Sequence, residues 1–232
     1  MLFYGTLSIL LAVASAESCY EGAKGLCGAT SHGSTTVLYT WRSCLAFDAK
    51  CNARHGGIDK LEINLQQYAN HNILSSFDYL LMSSHFGNYE AHREGFKALY
   101  RKLSDKSWED AINVLKYIGK RGGILPVNFT LCTSQVKLTK VLDLNELQSL
   151  AKALDMQKDL AADASYIHSE ALQLAKHDPG IIHYLEEQFI EPQTDRIRDL
   201  AGYTNDLKGI IAPNQDNSVG VFLFDEYLKK SL

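Results

Sequence analysis

Residues 122–144, GGILPVNFTLCTSQVKLTKVLDL, decide how this chain must fold. They lie between two stretches of helical periodicity, and antiparallel helical neighbours need only about 2–8 connecting residues. This connection is long enough to travel the full height of a helical bundle. The helix before it is therefore joined to the helix after it by a crossover and not by a hairpin.

Just upstream, Phe96, Leu99, Leu103, Ala111, Val114 and Ile118 recur three or four apart, the mark of one buried helix face. Gly122 and Gly123 supply a left-handed stop, and Lys116, Lys120 and Arg121 suit the negative end of the helix dipole. The pattern predicts this second helix from about Ala91 to Gly122. A first helix precedes it, from about Asp59 to Phe86, with Leu61, Leu65, Tyr68, Tyr79, Met82 and Phe86 on one stripe and Gly87-Asn88 at its end.

Downstream, Asn145 is placed to cap a third helix with Leu147, Leu150, Leu154, Ala161, Ala164 and Ile167 facing inward. HDPG (177–180) interrupts the pattern, with Asp178 as N-cap and Pro179 as the first residue of a fourth helix. That helix carries Ile182, Leu185, Phe189, Ile197 and Leu200, and Pro192 is expected to kink it. SVGVFLFDEYLKKSL (218–232) reads as a short fifth helix. Two helix pairs with one long crossover make an all-α, ferritin-like four-helix bundle, whereas cytokine-type bundles have two crossovers.

The 232 residues suffice for one domain with a sizeable core, expected over 58–232. A net charge of −4 argues against nucleic acid as a partner. Residues 2–16, LFYGTLSILLAVASA, are apolar, too short for a bilayer and end in an A-x-A pattern, so residues 1–16 are expected to be a signal peptide. No later run has the length and apolarity of a membrane helix, and the mature chain is expected to be soluble and secreted. Residues 17–57 are rich in Gly, Ser and Cys and read as an extension held by disulfides.

Cys19, Cys27, Cys44, Cys51 and Cys132 do not follow a zinc spacing. Five is odd, so one thiol is free, buried or bonded to another chain. Asn128 opens the sole N-x-[ST] sequon and is the expected glycosylation site.

Polar residues interrupt the apolar stripes at mid-height of all four helices: Asn72, then Ser107 with Asp110, then Gln157, then Gln193. An unpartnered buried polar group costs about 1–3 kcal/mol, so these five are expected to bond to one another or to water. A di-iron centre needs several carboxylates and imidazoles, with Glu-x-x-His as the (i, i+3) pair. Here that pair is Ser107 and Asp110, and amides and a hydroxyl are poor ligands for iron. The layer has the look of an emptied metal site.

At these residues the chain resembles the ferritins, in particular the secreted light-chain homologues of insects. YLLMSSHFGNYEAHREGFKALYRKLSDKSW (79–108), KRGG (120–123) and IRDLAGYTNDL (197–207) carry the match, and VFLFDEYL (221–228) resembles the family's fifth helix. The resemblance implies a shell of twenty-four subunits that stores iron as a ferric mineral. It places the ferroxidase positions on Asn72, Tyr79, Ser107, Asp110, Gln157 and Gln193, of which only Tyr79 and Gln193 keep the family residue. It places the acidic three-fold channel on His183 and Glu186. The cavity face that nucleates mineral falls on Lys102, Asp105, Lys106 and Glu109; Asp105 and Glu109 are its candidate iron-binding acids, but two lysines among two acids make a poor ferric template and read as a solvated, salt-bridging face. It also offers Val219, Leu223 and Tyr227 as the lining of a four-fold channel.

The expectation is therefore a secreted light-type subunit, not itself an enzyme, that assembles with a ferroxidase-competent heavy chain. An interchain disulfide to that partner is expected through Cys19 or Cys27. Two other readings are a ferroxidase with an unusual site at Asp110, Glu109 and Tyr79, and a secreted helical binding or signalling protein without an iron role.

Overall fold

The computed structural model describes residues 52–124, 145–174, 177–211 and 217–231. The five cysteines, Asn128 and the expected signal peptide lie outside the described residues, as does most of the crossover. Contacts divide the chain at Ala53/Arg54, and every helix of the bundle belongs to the unit that begins at Arg54.

Helix α1 spans Ile58–Phe86, α2 spans Glu94–Lys120 and α3 spans Glu146–Gln173. The fourth bundle helix is composite: α4 (Pro179–Leu185), a π turn (Glu186–Ile190) and α5 (Glu191–Ile210). Helix α6, Ser218–Ser231, comes last. The described residues contain no strand.

Side-chain bonds fix the helix directions. Ser83 bonds to the Lys97 carbonyl and Ser104 to that of Ser76, so α1 and α2 run antiparallel. His71 meets Asp163 and Tyr79 meets the Ala153 carbonyl, so α1 and α3 are antiparallel too. Arg93 bonds to Glu146, and Tyr100 to Ser149, near the N-terminal ends of both helices. Helices α2 and α3 are therefore parallel, so the end of α2 and the start of α3 lie at opposite ends of the bundle, the arrangement of a bundle with one long crossover.

Caps set the boundaries. The Asn145 side chain accepts from the Gln148 N–H at 2.8 Å, and Asp178 accepts from the Ile181 N–H at 3.1 Å with Pro179 in the first turn. Gly122 takes φ 78°, the left-handed stop that no β-carbon favours. Helix α2 starts later than its apolar spacing suggests. Asn88 accepts from the N–H groups of Glu90 and Ala91, and His92 takes φ 45°, so a turn occupies that stretch.

Pro192 acts upstream of itself. Without an N–H it cannot bond to the Gln188 carbonyl, and the preceding turn widens until the Glu191 N–H reaches the Glu186 carbonyl. The expected kink is this π turn.

The apolar interior is in two halves. One gathers Tyr79, Met82, Phe86, Phe96, Leu99 and Tyr100 with Leu150, Leu200 and Phe224. The other gathers Ile58, Leu61, Leu65 and Tyr68 with Val114, Ile118, Leu160, Leu185 and Phe189. Helix α3 is turned slightly from its expected face: Ala153, Met156 and Leu160 are buried, while Leu147, Leu154 and Ala161 are half-buried. Helix α6 closes the first half with Val221, Phe224 and Leu228, and Asp225 accepts from the Phe96 N–H at 3.0 Å. A β-carbon at Gly95 would fall on the Asp225 backbone carbonyl, so glycine is what lets α6 approach α2.

Candidate metal centre

Between the two apolar halves lies the polar layer. Asn72, Ser107, Asp110, Gln157 and Gln193 are all buried, none more than 1% exposed. Two tyrosines organise it. The Tyr79 hydroxyl donates to the Ala153 carbonyl at 3.2 Å and accepts from Gln157 Nε2 at 3.0 Å. Because that hydroxyl has spent its proton, Gln157 must present its amide N–H to it, and Gln157 Oε1 is turned elsewhere. Gln193 Nε2 bonds to the Tyr68 hydroxyl at 3.0 Å, and Asn72 Nδ2 bonds back to the Tyr68 carbonyl at 2.9 Å. Burial pushes both phenols well above their ordinary pKa. They are neutral hydrogen-bonding groups at any physiological pH.

Asp110 has two cationic partners. Arg196 Nη1 lies 3.1 Å from Oδ2, and Lys106 Nζ lies 3.1 Å from Oδ1. The Lys106 ammonium also reaches Glu109 at 3.1 Å. Partial burial works to lower the lysine pKa, but its bonds to Glu109 and Asp110 outweigh that and hold it above the ordinary value. Helical periodicity leaves out Arg196 and puts Lys106 on a solvated face. A signal for Arg196 is nonetheless present: it stands three residues after Gln193, on the same helical face.

Five buried atoms around this layer have no hydrogen-bond partner among the described residues: Asn72 Oδ1, Ser107 Oγ, Gln157 Oε1, Gln193 Oε1 and Arg196 Nη2. Four are neutral oxygens and one is a guanidinium nitrogen. This donor set does not fit a di-iron pair. A pair of irons calls for several carboxylates with imidazole, whereas the layer offers one carboxylate that already faces two cations. Among the described residues there is no group of three or more His, Cys, Asp or Glu side chains arranged to hold a metal ion.

The remaining candidate residues lie apart from this layer. His183 is exposed and 3.5 Å from Glu187, while Glu186 pairs with His168 at 2.8 Å. Asp105 is paired with Arg101 at 2.9 Å. Asp105 and Glu109, the acids expected on a cavity face, each meet a cationic side chain of their own helix. Val219, Leu223 and Tyr227 are exposed on the outer side of α6.

The comparisons agree with this architecture. A family model described as Ferritin-like domain matches residues 63–210. The ferritin light chain of Drosophila melanogaster is 43% identical over 84% of this chain and 88% of its own length. That of Trichoplusia ni is 40% identical over 97% of both. The crystal structure of Trichoplusia ni secreted ferritin superposes with a TM-score of 0.79 at 39% identity, covering 94% of this chain and 100% of that one.

One expectation is overturned. The relatives include a ferritin heavy chain of Papilio xuthus, 27% identical over 80% of this chain and 91% of its own length, and heavy chains are the ferroxidases of their family. The expectation that this chain is not an enzyme does not stand, because the likeness runs to both chain types. Matched by the family model from residue 63 to 210 and over nearly its full length by an insect light chain, the chain belongs to the ferritin family.

Proposed function

We propose that this iron-storage ferritin subunit is of the light type: it builds a secreted shell in which a heavy-type partner carries out Fe(II) oxidation. The observation that carries the reading is the donor set of the polar layer, where Asn72, Ser107 and Gln157 stand at positions that the family fills with glutamate, and Asp110 at its histidine. Its one carboxylate is matched by Arg196 and Lys106, so little negative charge is left to draw in two divalent ions. The likeness to insect light chains and to a secreted ferritin supports the same reading.

In this reading the shell has twenty-four subunits, and His183 and Glu186 line the route for iron at the three-fold axes. Val219, Leu223 and Tyr227 close the four-fold axes, which accounts for three exposed apolar side chains on one face of α6. The cysteine-dense start supplies a disulfide to the heavy chain, Asn128 carries a glycan, and the bundle domain begins at residue 58 after a cleaved signal peptide and the extension.

Aerobic Fe(II) oxidation tests the proposal. The isolated chain is expected to oxidise Fe(II) more slowly than a heavy chain does, and shells co-assembled with a heavy chain to do so at a rate set by heavy-chain content. Oxidation by the isolated chain at a heavy-chain rate would overturn it. Non-reducing electrophoresis of thiol-blocked native complex tests the disulfide, with a heavy–light band expected to collapse on reduction.

A further inference from the structure

Tyr117 on α2 and Tyr184 on α4 lie face to face, their ring centroids 3.8 Å apart and their planes inclined by 5°. Aromatic pairs ordinarily settle offset or edge-on, with centroids about 4.5–7 Å apart. Among the described residues no other two tyrosines stack in this way, and Tyr203 and Tyr227 meet edge-on at 6.4 Å. Phe189 meets Tyr184 at 5.4 Å and the Arg121 guanidinium lies over the Tyr117 ring, 5.7 Å from its centre, so both rings are confined. A stack needs no hydroxyls. That of Tyr117 accepts from Arg121 Nη1 at 2.8 Å, but that of Tyr184 is buried without a hydrogen-bond partner among the described residues. Phenylalanine at 184 would stack as well and leave no polar atom unsatisfied. Burial pushes both phenols above their ordinary pKa, so each keeps its hydrogen at physiological pH.

We infer that Tyr117 and Tyr184 are a site of oxidative cross-linking, a pair of phenols that consumes two oxidising radicals and closes into dityrosine. The oxidant is the hydroxyl radical: Fe(II) gives one electron to hydrogen peroxide, which splits into hydroxide and that radical. One radical takes the hydroxyl hydrogen atom of Tyr117 and a second that of Tyr184, and each leaves as water. The unpaired electron of a phenoxyl radical spreads onto the ring carbons ortho to oxygen, in orbitals perpendicular to the ring. Stacked rings present those orbitals to one another. The two electrons pair in a carbon–carbon bond between ortho carbons, and the hydrogen on each of those carbons moves to its own oxygen, restoring both phenols. The chain loses two hydrogens, no radical is left, and α2 is joined covalently to α4. A lone tyrosine cannot finish this sequence, because its radical has no partner to pair with. The inference goes beyond the light-type reading and does not depend on which chain oxidises Fe(II), so the two fail separately.

Assembled protein treated with Fe(II) and hydrogen peroxide, the peroxide raised until other side chains are oxidised, tests the inference after digestion and mass spectrometry. The expected product is a peptide pair joined through Tyr117 and Tyr184, lighter by two hydrogens than its two parts, and dityrosine fluorescence is expected to rise with it. Tyr184→Phe removes a hydroxyl that has no partner, so the stack and the assembly are expected to survive while most of that fluorescence is lost. Tyr117→Phe is expected to read the same, and Tyr227→Phe to leave the fluorescence unchanged. Oxidation of other side chains, with Tyr117 and Tyr184 still unjoined, would overturn the inference. So would dityrosine fluorescence that is undiminished in Tyr184→Phe.

Discussion

Two buried aspartates, each facing an arginine, serve this molecule differently. Asp178 closes the end of the bundle. Arg121 grips both its oxygens, at 2.6 and 3.3 Å, and the N–H groups of Gly57 and Ile181 bond to it at 2.7 and 3.1 Å. Arg121 also donates to Tyr117 and to the His55 carbonyl, so one cluster ties the start of α1 to the end of α2 and the start of α4. Asp110 sits at mid-height, in the layer that holds four partnerless oxygens, and has one bond from each of two cations. Asp178 thus has two bonds at each oxygen, whereas Asp110 rests on a single cation at each.

Variants at and around these aspartates are expected to differ in the size of their effects. The largest effect belongs to chemistry at the centre. Restoring Asn72→Glu, Ser107→Glu, Asp110→His and Gln157→Glu together is expected to raise Fe(II) oxidation on the order of tenfold or more, and each change alone to do little, since two cations need most of the ligand set. A fourfold variant no faster than the unaltered protein would show that these positions are not the lost centre.

Next is the latch. Arg121→Met strands a buried carboxylate and is expected to cost about 3–5 kcal/mol in urea denaturation. Asp110→Asn keeps an acceptor for Arg196 and is expected to cost about 1–3 kcal/mol. If the two variants cost the same, the contrast between the aspartates is wrong.

The latch is also acid-sensitive. Burial works to raise the Asp178 pKa, but Arg121 and the two backbone N–H groups outweigh it and hold the carboxyl below its ordinary value. A lowered native pKa contributes stability in full above the unfolded value of about 3.9, and the contribution is lost as pH falls through the native value. Denaturation midpoints measured across pH are therefore expected to show unaltered protein well above Asp178→Asn at neutral pH, and the gap closing below about pH 4.

The smallest effect is expected at a third aspartate, on α6. Burial raises the Asp225 pKa in spite of bonds from the Phe96 and Gly95 N–H groups. A raised native value favours the folded state only while the group is protonated, and that gain is lost as pH rises through it. Asp225→Asn retains the acceptor for Phe96, so its stability at pH 7 is expected to lie within about 0.5 kcal/mol of the unaltered protein or slightly above it. Gly95→Ala, beside it, forces α6 off α2 and is expected to cost about 1–3 kcal/mol. The pair of measurements separates the charge of Asp225 from the fit of its backbone.

By itself the sequence determined the bundle, because helix faces repeat every three or four residues and a crossover of this length allows one topology. It determined the polar layer as well, since short side chains such as Asn72, Ser107 and Gln157 stay where their helix face puts them. The long cations were beyond it. Arg121 reads as a complement to the helix dipole, yet it is a buried latch 57 residues away from Asp178 in sequence. Lys106 and Arg196 sit at positions that a periodicity argument gives to solvent or leaves out, yet they reach Asp110 from two different helices. An arginine or lysine carries its charge several bonds from its own backbone, so which carboxylate it meets depends on how helices pack and not on which face it leaves. The π turn before Pro192 was likewise settled only in three dimensions, because a missing N–H can be accommodated by a kink or by a wider turn, and local sequence does not choose between them.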